Sequence, residues 1–154
     1  MSSFNVAKFG GTSVANFEAM SRCAIIIENN LSTKLVVSSA CSGVTNLLVE
    51  LANGVVNKQE RIKIIEKLAD IHQAVLTRLE DSTDTETEVS KILDTVSHLA
   101  EDASIQASKK LTDQLVSCGE LMSTHLLTQV MREQGINAIR FDIRQVLRTN
   151  DDFG

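Results

Sequence analysis

In the first third of the chain, short apolar runs typical of strands alternate with segments whose apolar residues recur at helical spacing. A short apolar-rich run with one lysine covers Phe4–Phe9 and ends at two glycines, and "KLVVS" at 34–38 has the same character. Such runs, bounded by small residues, are typical of buried strands. Apolar residues recur at helical spacing from Phe17 to Leu31, after Asn16 as a suitable N-cap, and again over Val44–Val56. This order predicts a βαβα unit with parallel strands and a right-handed crossover.

The middle of the chain is purely helical in pattern. One apolar stripe runs from Ile62 to Leu79 and a second from Val89 to Ala103, with the acidic stretch "EDSTDTETE" between them. We expect two antiparallel helices at about 58–108, joined by a mobile acidic tip near 80–88 in which Thr83–Glu86 forms a capping box. A cation or partner site at the tip is the alternative, although such charge runs usually belong to a solvated helix start.

A further helix and a third strand are predicted after this hairpin. Apolar positions support a helix from Thr112 to about Gln134, and Gly135 is suited to ending it. "NAIRF" at Asn137–Phe141 then reads as a strand. The pattern as a whole predicts an α/β protein with a parallel sheet and a helical hairpin.

Composition narrows the classes of partner. A length of 154 residues suits one domain with a substantial core. Aromatic residues make up only 3% of the chain, and the net charge is −5. Few bases could therefore stack on this protein, and an anionic polymer or membrane surface would be repelled. We expect neither a nucleic-acid nor a membrane partner.

The cysteines and the N-terminus indicate a cytoplasmic location. The three cysteines are widely spaced and odd in number, as expected of free thiols in a reducing compartment. Neither they nor the three histidines have the spacing of a metal site, so no metal-ligating residue is predicted, and the histidines are interpreted as structural or surface residues. The chain has no signal-peptide pattern and no apolar run of the ~20 residues needed to span a bilayer.

The end of the first strand carries the strongest candidate chemistry. In "KFGGTS" the glycines leave backbone N–H groups accessible, Lys8 offers a flexible positive charge, and Thr12 and Ser13 add hydroxyl groups. Ligands of open parallel sheets bind beyond the carboxyl ends of the strands, where helix N-termini favour anions. A phosphate site is one interpretation. The other is that Gly10-Gly11 makes an ordinary turn beside a solvated lysine, since neither a Walker P-loop nor a G-x-G-x-x-G fingerprint is present.

A second candidate lies within the helix predicted to begin at Thr112. Glu120 has Ser117, Ser123 and Thr124 among its neighbours one turn away, and Gly119 precedes it. A glycine costs a helix interior roughly 1 kcal/mol relative to alanine, so its presence beside this stripe of hydroxyl residues suggests that something polar approaches the face closely. The alternative is an ordinary exposed glutamate. Ser39 beside Cys41 lacks the G-x-S-x-G elbow of a nucleophile.

Three co-linear segments resemble the aspartate kinases, which belong to the amino-acid kinase fold family. They are "KFGGTSV", "VVSSACSGVTNLL" and "LVSCGELMST", and the similarity continues through "FDIRQVLRTNDDFG". Their order and spacing are most similar to the lysine-sensitive, single-function bacterial type. The resemblance implies a three-layer αβα fold with a parallel sheet. It also implies ATP-dependent phosphorylation of the side-chain carboxylate of L-aspartate, the first step toward lysine, threonine and methionine.

The resemblance also implies roles for individual residues, with ATP and Mg²⁺ as cofactors. Lys8 would be catalytic, and the ATP phosphates would lie along Lys8, Phe9, Gly10, Gly11, Thr12 and Ser13. The aspartate pocket would include Ser39, Ala40, Thr45 and Glu120. Because Glu120 has the wrong charge for a carboxylate or a phosphate, it would hold the substrate's ammonium group.

Members of this family are about three times as long as this chain. The resemblance therefore implies that residues 1–154 are the N-terminal portion of the kinase domain. The remaining ATP contacts, a substrate-binding arginine and the regulatory ACT domains would lie outside it. Lysine would be the feedback inhibitor of a full-length homo-oligomer, and the isolated fragment would be inactive.

Two other functions remain open from the sequence. One is a kinase for glutamate or acetylglutamate, which would share the glycines of strand one but should lack the "SGVTNLL" and "GELMS" pair. The other is a non-enzymatic interaction fragment that works through the helical hairpin.

Overall fold

A computed structural model describes residues 4–147 of the chain. The two strands are β1 (Asn5–Phe9) and β2 (Thr33–Ser38). The five α-helices of the described residues are α1 (Phe17–Glu28), α2 (Val44–Ala52), α3 (Lys58–Leu76), α4 (Thr83–Ile105) and α5 (Lys109–Glu133). Short 3₁₀ turns cover Gly11–Val14 and Ile143–Gln145.

The predicted βαβα unit is confirmed. Strands β1 and β2 pair in parallel, with Phe9 opposite Ser38 at their carboxyl ends, and α1 forms the crossover between them. The side chain of Asn16 caps α1 by accepting a hydrogen bond from the Ala19 N–H at 2.9 Å. Both loops that leave the strands therefore emerge at one edge of the sheet.

Helices cover one face of this two-stranded sheet within the described residues. Phe9 and Ser38 are buried on that face, against the helical core. On the opposite face Val6 is 56% exposed and Leu35 53% exposed. The parallel α/β architecture agrees with expectation, whereas the second helical layer of a three-layer fold is not formed by residues 4–147.

The prediction of a third strand at Asn137–Phe141 is wrong for this structure. The segment runs beside β2, and the two border a cavity of about 200 Å³, but it has no regular secondary structure. Its backbone bonds locally instead, since the Arg132 Nε–H donates to the Ala138 carbonyl at 2.9 Å. Ile139 is 82% exposed, so the alternating apolar pattern has no packing partner on that side.

The two helices predicted at about 58–108 are present as α3 and α4. They contact each other, but α4 also packs on α2 and α5, so the pair shares one continuous core with the rest of the protein. Fully buried side chains from four helices meet in that core, among them Leu48, Leu68, Val96 and Leu126.

The connection between α3 and α4 is bonded to α5, contrary to the expected mobile tip. The Glu80 and Asp81 N–H groups donate to Glu133 Oε1 at 3.0 and 3.2 Å, and Gln129 Nε2 donates to the Asp81 carbonyl at 3.0 Å. These bonds fix the start of α4 against the end of α5.

The predicted capping box at Thr83–Glu86 is also wrong. Thr83 is the first helical residue of α4, and Ser82 occupies the N-cap position without a side-chain bond. The Asp81 carboxylate instead accepts from the Thr83 N–H at 3.2 Å. Helix α5 begins three residues earlier than expected, because Ser108 caps it through the Leu111 N–H.

His72 lies in the core, as a structural histidine, and one of its ring nitrogens has no partner. Nδ1 is 2.6 Å from the Leu68 carbonyl. Because a carbonyl only accepts, Nδ1 carries the proton, and Nε2 is left buried without a hydrogen bond among the described residues. Burial lowers the pKa of His72 below its usual value, despite the bond to Leu68. The folded protein therefore holds this ring neutral.

We expect His72 to make the protein less stable in mild acid. The unfolded chain binds a proton at His72 near pH 6.5, so the free energy of unfolding should fall as pH drops through and below that value. Replacement by leucine should reduce the fall between pH 7.5 and 5.0, measured by urea unfolding of both proteins.

His125, whose pKa burial also lowers, is present in both proteins and cancels in the comparison. The exposed His98→Gln variant is the control and should retain the wild-type dependence. An equal fall in wild type and His72→Leu would contradict this account.

Candidate functional site

Two loops meet where the parallel strands end. The first contains Gly10 and Gly11 and follows β1, and the second begins at Ser39 after β2. The Ser39 N–H donates to the Phe9 carbonyl at 3.0 Å, which continues the strand pairing into the loops. A Cβ at Gly11 would lie 3.0 Å from the Ala40 carbonyl oxygen, so this close approach depends on glycine.

Helix α5 closes against the second loop through another glycine. A Cβ at Gly119 would stand 2.9 Å from Leu48 Cδ1 and Val44 Cγ1, and 3.0 Å from Ala40 Cβ. The loop after β2 and the start of α2 therefore lie directly on the backbone of α5. This contact, with apolar groups and not with the polar group expected, is the physical reason for a glycine in the middle of a 25-residue helix.

Glu120 is brought to the same edge of the sheet. Its exposed side chain borders a cavity of about 290 Å³ between β2, α5 and residues 140–144. Ser117 and Thr124, two of the three hydroxyl residues around Glu120, line this cavity with it. Ser123 is fully buried and bonds elsewhere, to the Ser39 carbonyl.

Charged groups that the sequence analysis did not single out border the same cavity. Arg140, Asp142 and Arg144 line it, and Arg144 makes a two-pronged ion pair with Asp142 through Nε and Nη2. Hydrogen bonds from Arg144 lower the pKa of the Asp142 carboxyl group. The signal was the charge alternation in "RFDIR", which the strand interpretation of this region obscured.

Lys8 lies at the end of β1 but is not among the residues that line the cavity beside Glu120. It is exposed, and its Nζ is 3.8 Å from the position that a Cβ would take on Gly10. Its partner in the sheet, Val37, does line the cavity. The structure thus places Lys8 and Glu120 at one edge of the sheet without enclosing them in one cavity.

The other residues singled out from the first segment differ in accessibility. Phe9 is buried, so only its backbone can serve a ligand, whereas Thr12 is exposed. Ser13 is half-buried, and its carbonyl accepts a bond from Cys23 Sγ at 3.1 Å. Of these side chains, Thr12 is the most accessible to a bound anion.

Thr45 is exposed in the first turn of α2. The N-cap of that helix is Gly43, which has a positive φ of 84° and provides no side-chain cap. Ser39 is half-buried and Ala40 buried beside this helix start. Uncapped N–H groups and the helix dipole make this end of α2 favourable for a negatively charged group.

The buried thiols are not nucleophiles. Burial raises the pKa of Cys41 to about 11, so it stays protonated near neutral pH. Burial also raises the pKa of Cys118, and the three cysteines of the chain are free.

Within residues 4–147, no group of His, Cys, Asp and Glu is arranged to hold a metal ion. Among the same residues, no helix has the length and apolar character that crossing a membrane requires.

Comparison with known proteins identifies the family of the chain. The model of the amino acid kinase family matches residues 3–152. The chain belongs to the amino acid kinase family. The residues that the family model matches therefore include both loops at the sheet edge and the whole of α5.

The family members that the chain resembles include aspartokinases. It is 46% identical to the lysine-sensitive aspartokinase 3 of Escherichia coli K12 over all of its own length and 34% of that protein. It is 53% identical, over 78 residues, to a Haemophilus influenzae protein whose name describes it as an inactive aspartokinase 3. That match spans 51% of this chain and 64% of the relative. The chain thus spans about a third of the first relative.

Solved structures of an amino acid kinase family member have the same fold. The chain superposes with a TM-score of 0.94 on E. coli aspartokinase III in complex with aspartate and ADP, at 46% identity over 98% of this chain and 34% of that one. The same values hold for that enzyme in complex with lysine and aspartate.

The two glycines after β1 should respond differently to alanine. Gly11→Ala should lower the free energy of unfolding by about 1–3 kcal/mol, because its Cβ would press on the Ala40 carbonyl. Gly10 has an ordinary extended backbone, and its nearest neighbour is the flexible end of Lys8. Gly10→Ala should therefore change stability by less than about 0.5 kcal/mol. Chemical denaturation checks both, and equal effects would contradict the close approach at Gly11.

Proposed function

We propose that this chain forms the N-terminal portion of an aspartokinase. The reaction transfers the γ-phosphoryl group of ATP to the side-chain carboxylate of L-aspartate, which gives 4-phospho-L-aspartate and ADP. This is the first step of lysine, threonine and methionine biosynthesis. The observation that carries the proposal is the meeting of the two loops with Glu120 of α5 at one sheet edge, in a chain 46% identical to an aspartokinase along its entire length.

The phosphate side of the site is assigned to the loop after β1. Lys8 supplies a positive charge, Gly10 and Gly11 expose backbone N–H groups, and Thr12 and Ser13 add hydroxyl groups. Phosphoryl transfer depends mainly on positioning and on stabilising negative charge, and these groups provide both. As the carboxylate oxygen bonds to the γ-phosphorus, the bond to the ADP oxygen breaks, and Lys8 offsets the repulsion between the two anions.

The amino-acid side of the site is assigned to the loop after β2 and to α5. Glu120 holds the ammonium group of aspartate, and Thr45 hydrogen-bonds a carboxylate at the favourable end of α2. Ser39 and Ala40 form the wall between them. The cavity of about 290 Å³ that Glu120 borders supports this assignment on the α5 side, whereas Ser39, Ala40 and Thr45 do not line it.

Mg²⁺ is expected with ATP, where the nucleotide's phosphates and water would supply most of its ligands. The described part of the chain has no cluster of carboxylates or histidines suited to the ion. No catalytic step is therefore assigned to the metal here.

The proposed partners follow from the relatives. Structures of E. coli aspartokinase III are named as complexes with aspartate and ADP and with lysine and aspartate. By similarity, lysine is proposed as the feedback inhibitor of the full-length protein, which we expect to be a cytoplasmic homo-oligomer.

Two alternatives have distinct signatures. A glutamate or acetylglutamate kinase would release ADP with those substrates and not with aspartate. A non-enzymatic interaction protein would phosphorylate no amino acid and would bind a partner through α3 and α4. The continuous core beneath those helices disfavours the second alternative, since their apolar faces are already used.

We expect the two assigned charges to affect different kinetic constants in the full-length enzyme. Glu120→Gln should raise the KM for aspartate about tenfold or more, because the ammonium group loses its counter-charge. Lys8→Ala should mainly lower kcat, by about 100-fold, as removal of one donor of charge stabilisation does elsewhere. A coupled assay of aspartate-dependent ADP release measures both.

Exposed residues on the hairpin helices provide matched controls. Glu101→Gln on α4 and Lys67→Ala on α3 should retain wild-type kinetics. If Glu120→Gln and Lys8→Ala both stay within a few-fold of the wild-type kcat/KM, the assignments are wrong.

The 154-residue chain alone should not turn over. It spans 34% of the E. coli relative, and by similarity the remaining nucleotide contacts lie outside it. The same coupled assay on the purified chain should therefore show no aspartate-dependent ADP release. Turnover by a chain free of contaminating kinase would contradict this expectation.

A further inference from the structure

The hydroxyl of Ser123 differs from the neighbouring hydroxyls of α5. Those of Ser117, Thr124 and Thr128 each donate to a carbonyl of α5 itself, three or four residues earlier. Ser123 Oγ instead donates to the Ser39 carbonyl at 2.6 Å, across 84 residues of sequence. It therefore connects α5 to the loop after β2.

This bond joins two parts of the proposed aspartate pocket. Ser39 begins the loop that leads to Thr45, and Glu120 lies one turn before Ser123 on α5. The Glu120 carbonyl is 3.0 Å from Ser123 Oγ, and Ser38 Oγ is 3.4 Å from it and also donates to the Ser39 carbonyl at 3.1 Å. Because the Ser123 hydroxyl has a single proton, its shorter bond to Ser39 is the principal one.

The surroundings of the bond make it more than a packing contact. Ser123 is fully buried, so water cannot replace its hydroxyl. The packing of α5 is already provided by apolar neighbours such as Met122 and Leu126. What the hydroxyl adds is a fixed distance between the Ser39 backbone and the helix that carries Glu120.

We propose that Ser123 is a positioning residue that sets the separation between the Ser39–Ala40 loop and Glu120 for binding of the amino-acid substrate. This inference rests on the proposed function. Ser123 does not touch substrate, and it acts through Ser39 and Glu120. Its loss should therefore weaken aspartate binding more than ATP binding, which is assigned to the loop after β1.

Gly119 lies one turn before Ser123 on the same face of α5 and forms part of the same junction. A Cβ there would stand 2.9–3.0 Å from Ala40, Val44 and Leu48, and would push α5 away from the loop. Gly119→Ala should thus lengthen the separation that Ser123 holds. Two chemically unrelated substitutions are expected to give the same kinetic signature.

The test is steady-state kinetics on the full-length enzyme. Ser123→Ala should raise the KM for aspartate about tenfold, with kcat and the KM for ATP within threefold of wild type. Gly119→Ala should raise the KM for aspartate at least as much. Thr128→Val removes a hydroxyl that bonds only within α5, and it should leave all three constants within twofold.

Hydrogen exchange supplies a readout that does not depend on activity. In Ser123→Ala, amides of residues 39–43 should exchange faster than in wild type, whereas those of α1 should not change. The thermal midpoint of each variant shows whether the whole fold is affected.

Each contrary outcome has a definite meaning. An unchanged aspartate KM in Ser123→Ala overturns the inference alone. An equal rise in the KM for aspartate and the KM for ATP, together with a lowered thermal midpoint, also overturns it, because it would indicate general destabilisation. A wild-type enzyme that does not phosphorylate aspartate overturns the proposed function, and the inference falls with it.

Discussion

Close backbone approach at two glycines is the constraint on which this site depends. Gly11 lets the loop after β1 lie against the Ala40 carbonyl, and Gly119 lets α5 lie against Ala40 from the other side. Ala40 is consequently enclosed between two segments that would both be displaced by a single added carbon. Because protein interiors are close-packed, such a displacement would shift the neighbouring groups at the sheet edge. The relative positions of Lys8, Thr45 and Glu120 thus follow from packing at residues that carry no reactive group.

Parallel pairing of β1 and β2 determines where these groups collect. A parallel pair places both strand ends at one edge, so the loops that follow are neighbours although they are separated by all of α1. The backbone of Phe9 and Ser39 continues the ladder by one more bond, which brings the glycine loop and the start of α2 into register. An antiparallel pair would have put these two loops at opposite ends of the sheet. The parallel direction of the two strands therefore accounts for an edge that favours anions before any side chain is considered.

The sequence was sufficient for some parts of the site and insufficient for others, and the difference is physical. Helical periodicity and the Asn16 cap are local properties, so α1 and the strand before it were predictable. The prediction at Asn137–Phe141 failed because strand formation needs a partner backbone, and local bonds from Arg132 satisfy that segment instead. Ser123 was noticed as part of a hydroxyl stripe, but its partner, the Ser39 carbonyl, is a backbone atom 84 residues away. Arg140 and Arg144 carry a visible charge pattern, but the place of their side chains beside β2 and α5 follows only from the folded chain. Direct contacts of this kind have no signature in a single sequence.

The helical hairpin supports the sheet edge. Helix α4 packs along α5, and α5 in turn carries Gly119, Glu120 and Ser123. The turn after α3 contacts α1, because Arg78 pairs with Glu18 and stacks over the Phe17 ring at 4.9 Å. These contacts form a closed series, called here the packing circuit, which runs from the sheet through α1, α3, α4 and α5 back to the loop after β2. An exposed ion pair contributes little stability, but the buried side chains of the packing circuit form one continuous core. A substitution in the core between α3, α4 and α5 should therefore change the separation between Glu120 and Ser39 at the sheet edge, because a shift of α5 relative to α4 also moves Glu120.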